Sequence, residues 1–182
     1  MLVLVQHLIR SGRWSRARAA EMGRLYARFE AQPGPRELEP AARAEAERVA
    51  RLKRTLSDAI GEVRACARCA KGCAAPSGVF DGGRCCGTAT LEVFAPSEVR
   101  AIKLAGIAPP SEPAPDGDER GGCMFRGARG CSLVPEARPA KCLVYVCHEL
   151  RHELEETPRW SRIQALRAEL DDALARLAAR TG

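Results

Sequence analysis

The stretch KCLVYVCHELRHELEE, Lys141–Glu156, admits two incompatible readings. His148-Glu149-Leu150-Arg151-His152 spells H-E-x-x-H, the helical pattern that presents two zinc-binding histidines in many metalloproteases. Cys142 and Cys147 bracket the start of that pattern, and seven more cysteines lie upstream. Either the chain builds a peptidase around this helix, or the helix is the way out of a cysteine-built metal site. The choice decides the fold.

On a helix, His148 and His152 share a face one turn apart, with Glu149 placed as a general base. Three features weigh against the peptidase. Arg151 puts a charge at an inner position of the pattern. A third ligand is needed, and the remaining candidates are Glu169, seventeen residues on, or His7, far upstream. A catalytic zinc beside Cys147 would also have thiolates competing for its open coordination position. The plainer reading makes His148 and His152 partly exposed, with Glu149, Glu153 and Glu156 on a solvated face. An intermediate reading keeps His148 as an auxiliary metal partner beside Cys147. The exit helix is the reading adopted.

The cysteines then carry the question. All nine fall between Cys66 and Cys147. Structural disulfides suit secreted chains, yet no secretion signal is visible and the count is odd. Inert buried thiols would be scattered through the chain, not gathered in one segment. Metal ligation explains both crowding and spacing. CARCAKGC is C-x2-C-x3-C, and such short gaps let one tight loop aim successive thiolates at one centre. In GGRCCGT, Cys85 and Cys86 are adjacent, and neighbouring side chains of an extended chain project to opposite sides. So either one binds while the other packs, or the two face different metals. GCMFRGARGCSLVPEARPAKCLVYVC adds Cys123, Cys131, Cys142 and Cys147.

The ligand candidates are therefore Cys66, Cys69, Cys73, Cys85, Cys86, Cys123, Cys131, Cys142 and Cys147. They exceed one tetrahedral site, and suit one polynuclear centre or two four-ligand sites with one thiol spare. Zinc and iron–sulfur clusters both accept soft sulfur ligands. Zinc ribbons usually show two C-x2-C knuckles and only one occurs here, so the irregular spacing leans toward iron.

Outward from this centre the pattern is helical. Trp14 to Glu30 reads as a helix with Met22, Leu25, Tyr26 and Phe29 on its packing face, ended by Pro33-Gly34-Pro35. A second helix puts Val49, Leu52, Leu56, Ala59, Ile60 and Val63 on one stripe that, continued by three residues, reaches Cys66. Glu47 and Arg51 lie at i,i+4 on its exposed face, as do Arg54 and Asp58. TLEVF, residues 90–94, reads as a short strand. APSEVRAIKLAG reads as a short helix, with Pro96 early, Glu98 at the positive end and Gly106 as the stop. IAPPSEPAPDGDERGG reads as an exposed, mobile acidic loop. A last helix runs from Arg159 to Arg180, with Ile163, Leu166, Leu170, Leu174 and Leu177 on its stripe. Arg138 fits a structural role at the Pro139 turn or a bond to a metal-bound sulfur. Tyr145 is expected to shield the site, and Trp14 and Trp160 to pack helices.

The totals narrow the function. The 182 residues are 46% hydrophobic, 29% charged and 4% aromatic, a composition suited to a soluble helical chain. The formal charge is +6. Residues 1–65 hold 13 Lys+Arg against 8 Asp+Glu, as single arginines set between Ala and Glu. A basic stripe with aromatics for stacking is missing, which argues against nucleic acid as a partner. MLVLV is shorter than the ~7–15 apolar residues of a signal peptide, and no run approaches a membrane span. A cytoplasmic protein with no membrane partner is expected, where thiols stay reduced.

CARCAKGC followed by CC, a short helix containing Glu98-Val99, and GCMFRGARGCSL with RPAKCLVYVC together resemble the zinc- or iron-chelating domain proteins, a family known for its CxxCxxCC motif. The resemblance covers Cys66 to Cys147, a little under half the chain, and leaves out the helical ends. Its demanding features are C-x7-C, Arg138-Pro139-x2-Cys142 and an aromatic before the last cysteine. One departure is clear: eleven residues separate Cys73 from Cys85, whereas in the family the double cysteine follows the first pair closely. Which of Cys73 and Cys85 is the extra thiol stays open. The resemblance implies metal binding through the cysteines. Flagellin lysine N-methylases carry a similar module, which implies an enzymatic alternative, although no separate methyl-donor domain is visible here.

The expected fold is mainly α, with helices flanking an irregular cysteine-rich metal-binding centre and little or no β structure. The expected organisation is an N-terminal helical arm over 1–40, a helix plus cysteine-rich domain over 41–158, and a C-terminal helix over 159–182 packing on that domain. The expected function is a metal-binding protein holding an iron–sulfur cluster or zinc, with the helical arms available to a protein partner. The alternatives are an iron–sulfur enzyme or enzyme subunit, such as a protein-lysine N-methylase-like activity, and the H-E-x-x-H zinc peptidase.

Overall fold

A computed structural model describes residues 15–34, 39–65, 88–115, 122–127 and 130–181. These residues are mainly helical, as the composition and periodicity predict. Helix α1, Arg16–Glu30, opens where the Ser15 hydroxyl accepts the Arg18 N–H at 3.3 Å. It buries Met22, Leu25, Tyr26 and Phe29, the face expected from their spacing. Helix α2, Pro40–Ile60, begins on a proline at a position that needs no N–H donor. Helix α7, Trp160–Thr181, packs along α2. Ile163, Leu166, Leu170 and Leu177 of α7 meet Val49 and Leu56 of α2 in one apolar cluster. Leu170 is wholly buried there, and Leu170→Ala should cost about 2–5 kcal/mol in denaturant unfolding.

Between these long helices lie shorter elements: α3, Thr90–Val93; α4, Pro96–Leu104; α5, Ala140–Val144; and α6, His148–Leu154. The strands β1, Arg126–Gly127, and β2, Gly130–Cys131, form a two-residue antiparallel ribbon with Arg126 opposite Cys131. Helix α4 binds the molecule together because both its faces are used. Ala101 and Leu104 join the α2–α7 cluster, whereas Val99 and Ile102 join a second one built on Met22, Leu25 and Phe29 of α1. In the second cluster Phe94 stacks edge-on against Phe125, with ring centroids 5.6 Å apart. Lys103 of α4 donates to the Phe29 carbonyl at 2.8 Å and also holds the Gln32 carbonyl, a cation set on the negative end of α1.

Four expectations need correction. TLEVF is not a strand: Thr90–Val93 is a helical turn, and Arg28 takes the carbonyls of Leu91 and Phe94 that a sheet partner would have needed. The stripe of α2 does not run unbroken to Cys66. The helix stops at Ile60 because Gly61 turns into the left-handed region at φ 60°, where a Cβ would also meet the Arg159 guanidinium at 3.2 Å. The surface pairs of α2 differ too, with Glu47 taken by Arg43 at 3.0 Å and Arg54 reaching across to Glu136. In the loop expected to be exposed, Ala114 is buried and its N–H donates to the Met124 carbonyl at 2.9 Å. Gly106, by contrast, ends α4 region as expected, at φ 73°.

Candidate metal centre

Of the nine candidate ligands, Cys123, Cys131, Cys142 and Cys147 lie among the described residues. Cys66, Cys69, Cys73, Cys85 and Cys86 lie outside them. Each of these four is half-buried. Cys123, Cys131 and Cys142 pack against the α1 cluster and Cys147 against the α2–α7 cluster.

Cys123, just before β1, and Cys131, the last residue of β2, both lie at the open end of the β1–β2 ribbon. The pairing of Arg126 with Cys131 and the Ser132 N–H to Phe125 carbonyl bond, 2.9 Å, set the chain at 125–127 against that at 130–132. The Cys123 sulfur accepts hydrogen bonds from the Phe125 N–H and the Thr90 hydroxyl, both of which favour a thiolate. Burial outweighs them, and with the nearby Cys131 charge it pushes the Cys123 thiol up to about 11. Two donors thus meet a sulfur whose surroundings, on balance, favour the neutral thiol. A bound cation reverses that balance, since it deprotonates a coordinating thiol outright.

Thr90 also ties this loop to the chain that follows Cys85 and Cys86. It is fully buried and accepts the Met124 N–H at 3.0 Å. A corresponding tie exists on the other side. The Glu153 carboxylate of α6 accepts the N–H groups of Arg64 and Ala65, each at 2.7 Å, where the chain re-enters helical conformation just before Cys66. Glu153 was expected on a solvated face; it is half-buried instead, because those open N–H groups need an acceptor. Both approaches to residues 66–87 are therefore fastened to elements that carry described cysteines. Glu153→Ala should cost about 1 kcal/mol in urea unfolding and speed amide exchange at Arg64 and Ala65.

Cys147 is the N-cap of α6, its sulfur accepting the Leu150 N–H at 3.5 Å. The helix begins on His148, as an exit helix would. His148 and His152 are both exposed, and His152 lies 3.7 Å from Glu155. Tyr145, expected to shield the site, is 36% exposed. Arg138 holds the loop before α5, donating to the Leu133 carbonyl at 2.8 Å and to Ser57 at 3.5 Å.

Among the described residues no three His, Cys, Asp or Glu side chains are grouped closely enough to hold a metal ion. A site of three or more ligands thus takes at least one from outside them. Two buried charges escaped the sequence reading, Arg126 of β1 and Lys53 of α2. Lys53 of α2 is 1% exposed and pairs with Glu98 of α4 at 3.3 Å. Its position was the available signal, because it sits within the apolar stripe between Val49 and Leu56. Burial lowers the affinity of Lys53 for its proton, while Glu98 and then Cys142 oppose that effect.

No family model, no curated protein and no solved structure matches this chain. Among the described residues, no helix is long and apolar enough to cross a membrane.

Proposed function

We propose that the protein binds zinc or iron, the latter as an iron–sulfur cluster, through thiolates drawn from Cys66, Cys69, Cys73, Cys85, Cys86, Cys123, Cys131, Cys142 and Cys147. The observation that supports this best is the Cys123 sulfur. It receives hydrogen bonds from the Phe125 N–H and the Thr90 hydroxyl and stands within electrostatic reach of Cys131. Hydrogen bonds to sulfur from backbone and hydroxyl donors are the outer-shell contacts that orient and stabilise metal-bound thiolates. The fastening of Ala65 to α6 and of Thr90 to the Cys123 loop adds to this, since it anchors the first cysteine run at both approaches.

The cysteine pattern, which resembles that of zinc- and iron-chelating domain proteins, and the confinement of every cysteine to one segment point the same way. A reducing compartment, the cytoplasm, suits such a site. The helices α1 and α7 would serve a protein partner, if the protein delivers or receives metal.

Anaerobic purification followed by metal and acid-labile sulfide analysis tests the reading. Stoichiometric iron with sulfide and a visible band near ~400 nm identifies a cluster, and colourless protein with stoichiometric zinc identifies a tetrathiolate site. Protein that carries neither, and takes up neither when reconstituted, overturns the proposal.

A further inference from the structure

The H-E-x-x-H pattern is left unused by the cysteine centre. In α6, Leu150 and Leu154 are buried in the cluster that α2 and α7 share. At about 3.6 residues per turn, His148 and His152 fall together on the opposite side of the helix, and both are exposed. The His152 side chain is 76% exposed, with Nδ1 lying 3.7 Å from a Glu155 oxygen. The other Glu155 oxygen takes Arg151 at 3.1 Å, which fixes the carboxylate beside the ring. A carboxylate on one ring nitrogen is the arrangement that orients a histidine to bind metal through the other. The stretch 148–156 also sets Glu149, Glu153, Glu155 and Glu156 against the single Arg151, a local field that draws cations.

We propose that His148 and His152 form a two-imidazole chelate on the outer face of α6 for a late first-row divalent ion, Zn²⁺, Ni²⁺ or Cu²⁺, with water in the remaining positions. Helix residues four apart have Cβ atoms about 5–6 Å from one another. Metal–nitrogen bonds of about 2.0–2.1 Å then let both rings meet on one ion. Imidazole suits these three ions, whereas carboxylate and water suit magnesium and calcium. Among the described residues no third His, Cys, Asp or Glu is grouped with the pair. The helix therefore offers an open, exchangeable site and not the three protein ligands of a catalytic zinc. Cys147 does not complete it, being half-buried with its sulfur on the Leu150 N–H. The chelate is independent of the cysteine centre proposed above.

The test is a titration of the reduced full chain with Ni²⁺, read from the imidazole proton signals in NMR. A coordinated Ni²⁺ is paramagnetic and broadens the ring that binds it. The chain has three histidines, so His7 serves as the internal control. The His148 and His152 signals should broaden together, at less Ni²⁺ than His7 requires. In His148→Ala the His152 signal should lose this sensitivity and respond as His7 does. His152→Ala should do the same to His148, because one imidazole alone forms no chelate ring and gains nothing from its neighbour's proximity. Both side chains are exposed, so the variants keep the fold, which circular dichroism checks. An unchanged midpoint for one histidine after loss of the other overturns the pair and leaves the cysteine centre untouched. Three histidines of equal response in the parent chain overturn it as well.

Discussion

Glu98→Ala should destabilise the fold by about 3–5 kcal/mol, the largest expected effect of any single surface-facing change. Lys53 is 1% exposed, and Glu98 is the acid that answers it at 3.3 Å. Removing the carboxylate leaves an ammonium inside the protein with its hydration lost and its counter-charge gone. Changing both partners to apolar residues tells a different story. In Lys53→Met/Glu98→Leu neither charge is buried, so stability should return to within about 1 kcal/mol of the parent or exceed it. Urea unfolding of the three chains measures this. A harmless Glu98→Ala would mean that water or another acid reaches Lys53. A pair that stabilises in its own right would show as a double variant no better than the single one.

The second large effect is that of metal. Residues 66–87 carry five cysteines among glycines and alanines, with few large apolar side chains to bury. Such a composition gains little from hydrophobic burial against the entropy of ordering a loop. Under the proposed function, ligation supplies the missing free energy, on the order of 10 kcal/mol for one structural zinc. Stripping the metal should therefore make residues 66–87 and the Cys123–Cys147 region sensitive to protease. The pair α2 and α7 should persist, since their contact is made by large apolar side chains such as Leu56, Ile163 and Leu170. Limited proteolysis and circular dichroism, before and after chelation under reducing conditions, separate the two regions. Equal protease resistance with and without chelator would count against a structural metal.

Much of the helical frame was legible in the sequence. The stripes of α1, α2 and α7 fall where spacing put them, because burial of one apolar face is what forms these helices. Pro96 and Gly106 likewise bracket α4, each acting through its own backbone restriction. The failures came where tertiary partners decide. Thr90-Leu91-Glu92-Val93 has strand-like residues, yet the carbonyls at this turn go to Arg28 and its hydroxyl to Met124. No local pattern announces that. Gly61 was visible, but its left-handed turn interrupts a stripe that the apolar residues beyond it continue in the sequence alone.

The candidate site was legible in part. Cysteine crowding pointed to the loops, whereas the ribbon that brings Cys131 opposite Arg126 is not announced by any local pattern. Glu153 was read as one of several solvated acids because its partners, two backbone N–H groups eighty-eight and eighty-nine residues earlier, leave no trace in composition. Lys53 was passed over within a stripe of leucines and valines. A charge inside an apolar stripe is the one sequence feature that would have marked it, and its partner Glu98 was explained by the helix end alone.

The most direct measurement is X-ray absorption at the metal edge of the anaerobically purified protein. Convergence of cysteines from separate loops predicts a first shell of sulfur, near ~2.3 Å for zinc, with four sulfurs per ion or a cluster signature for iron. A first shell made of nitrogen and oxygen, or protein with no stoichiometric metal to measure, would contradict it.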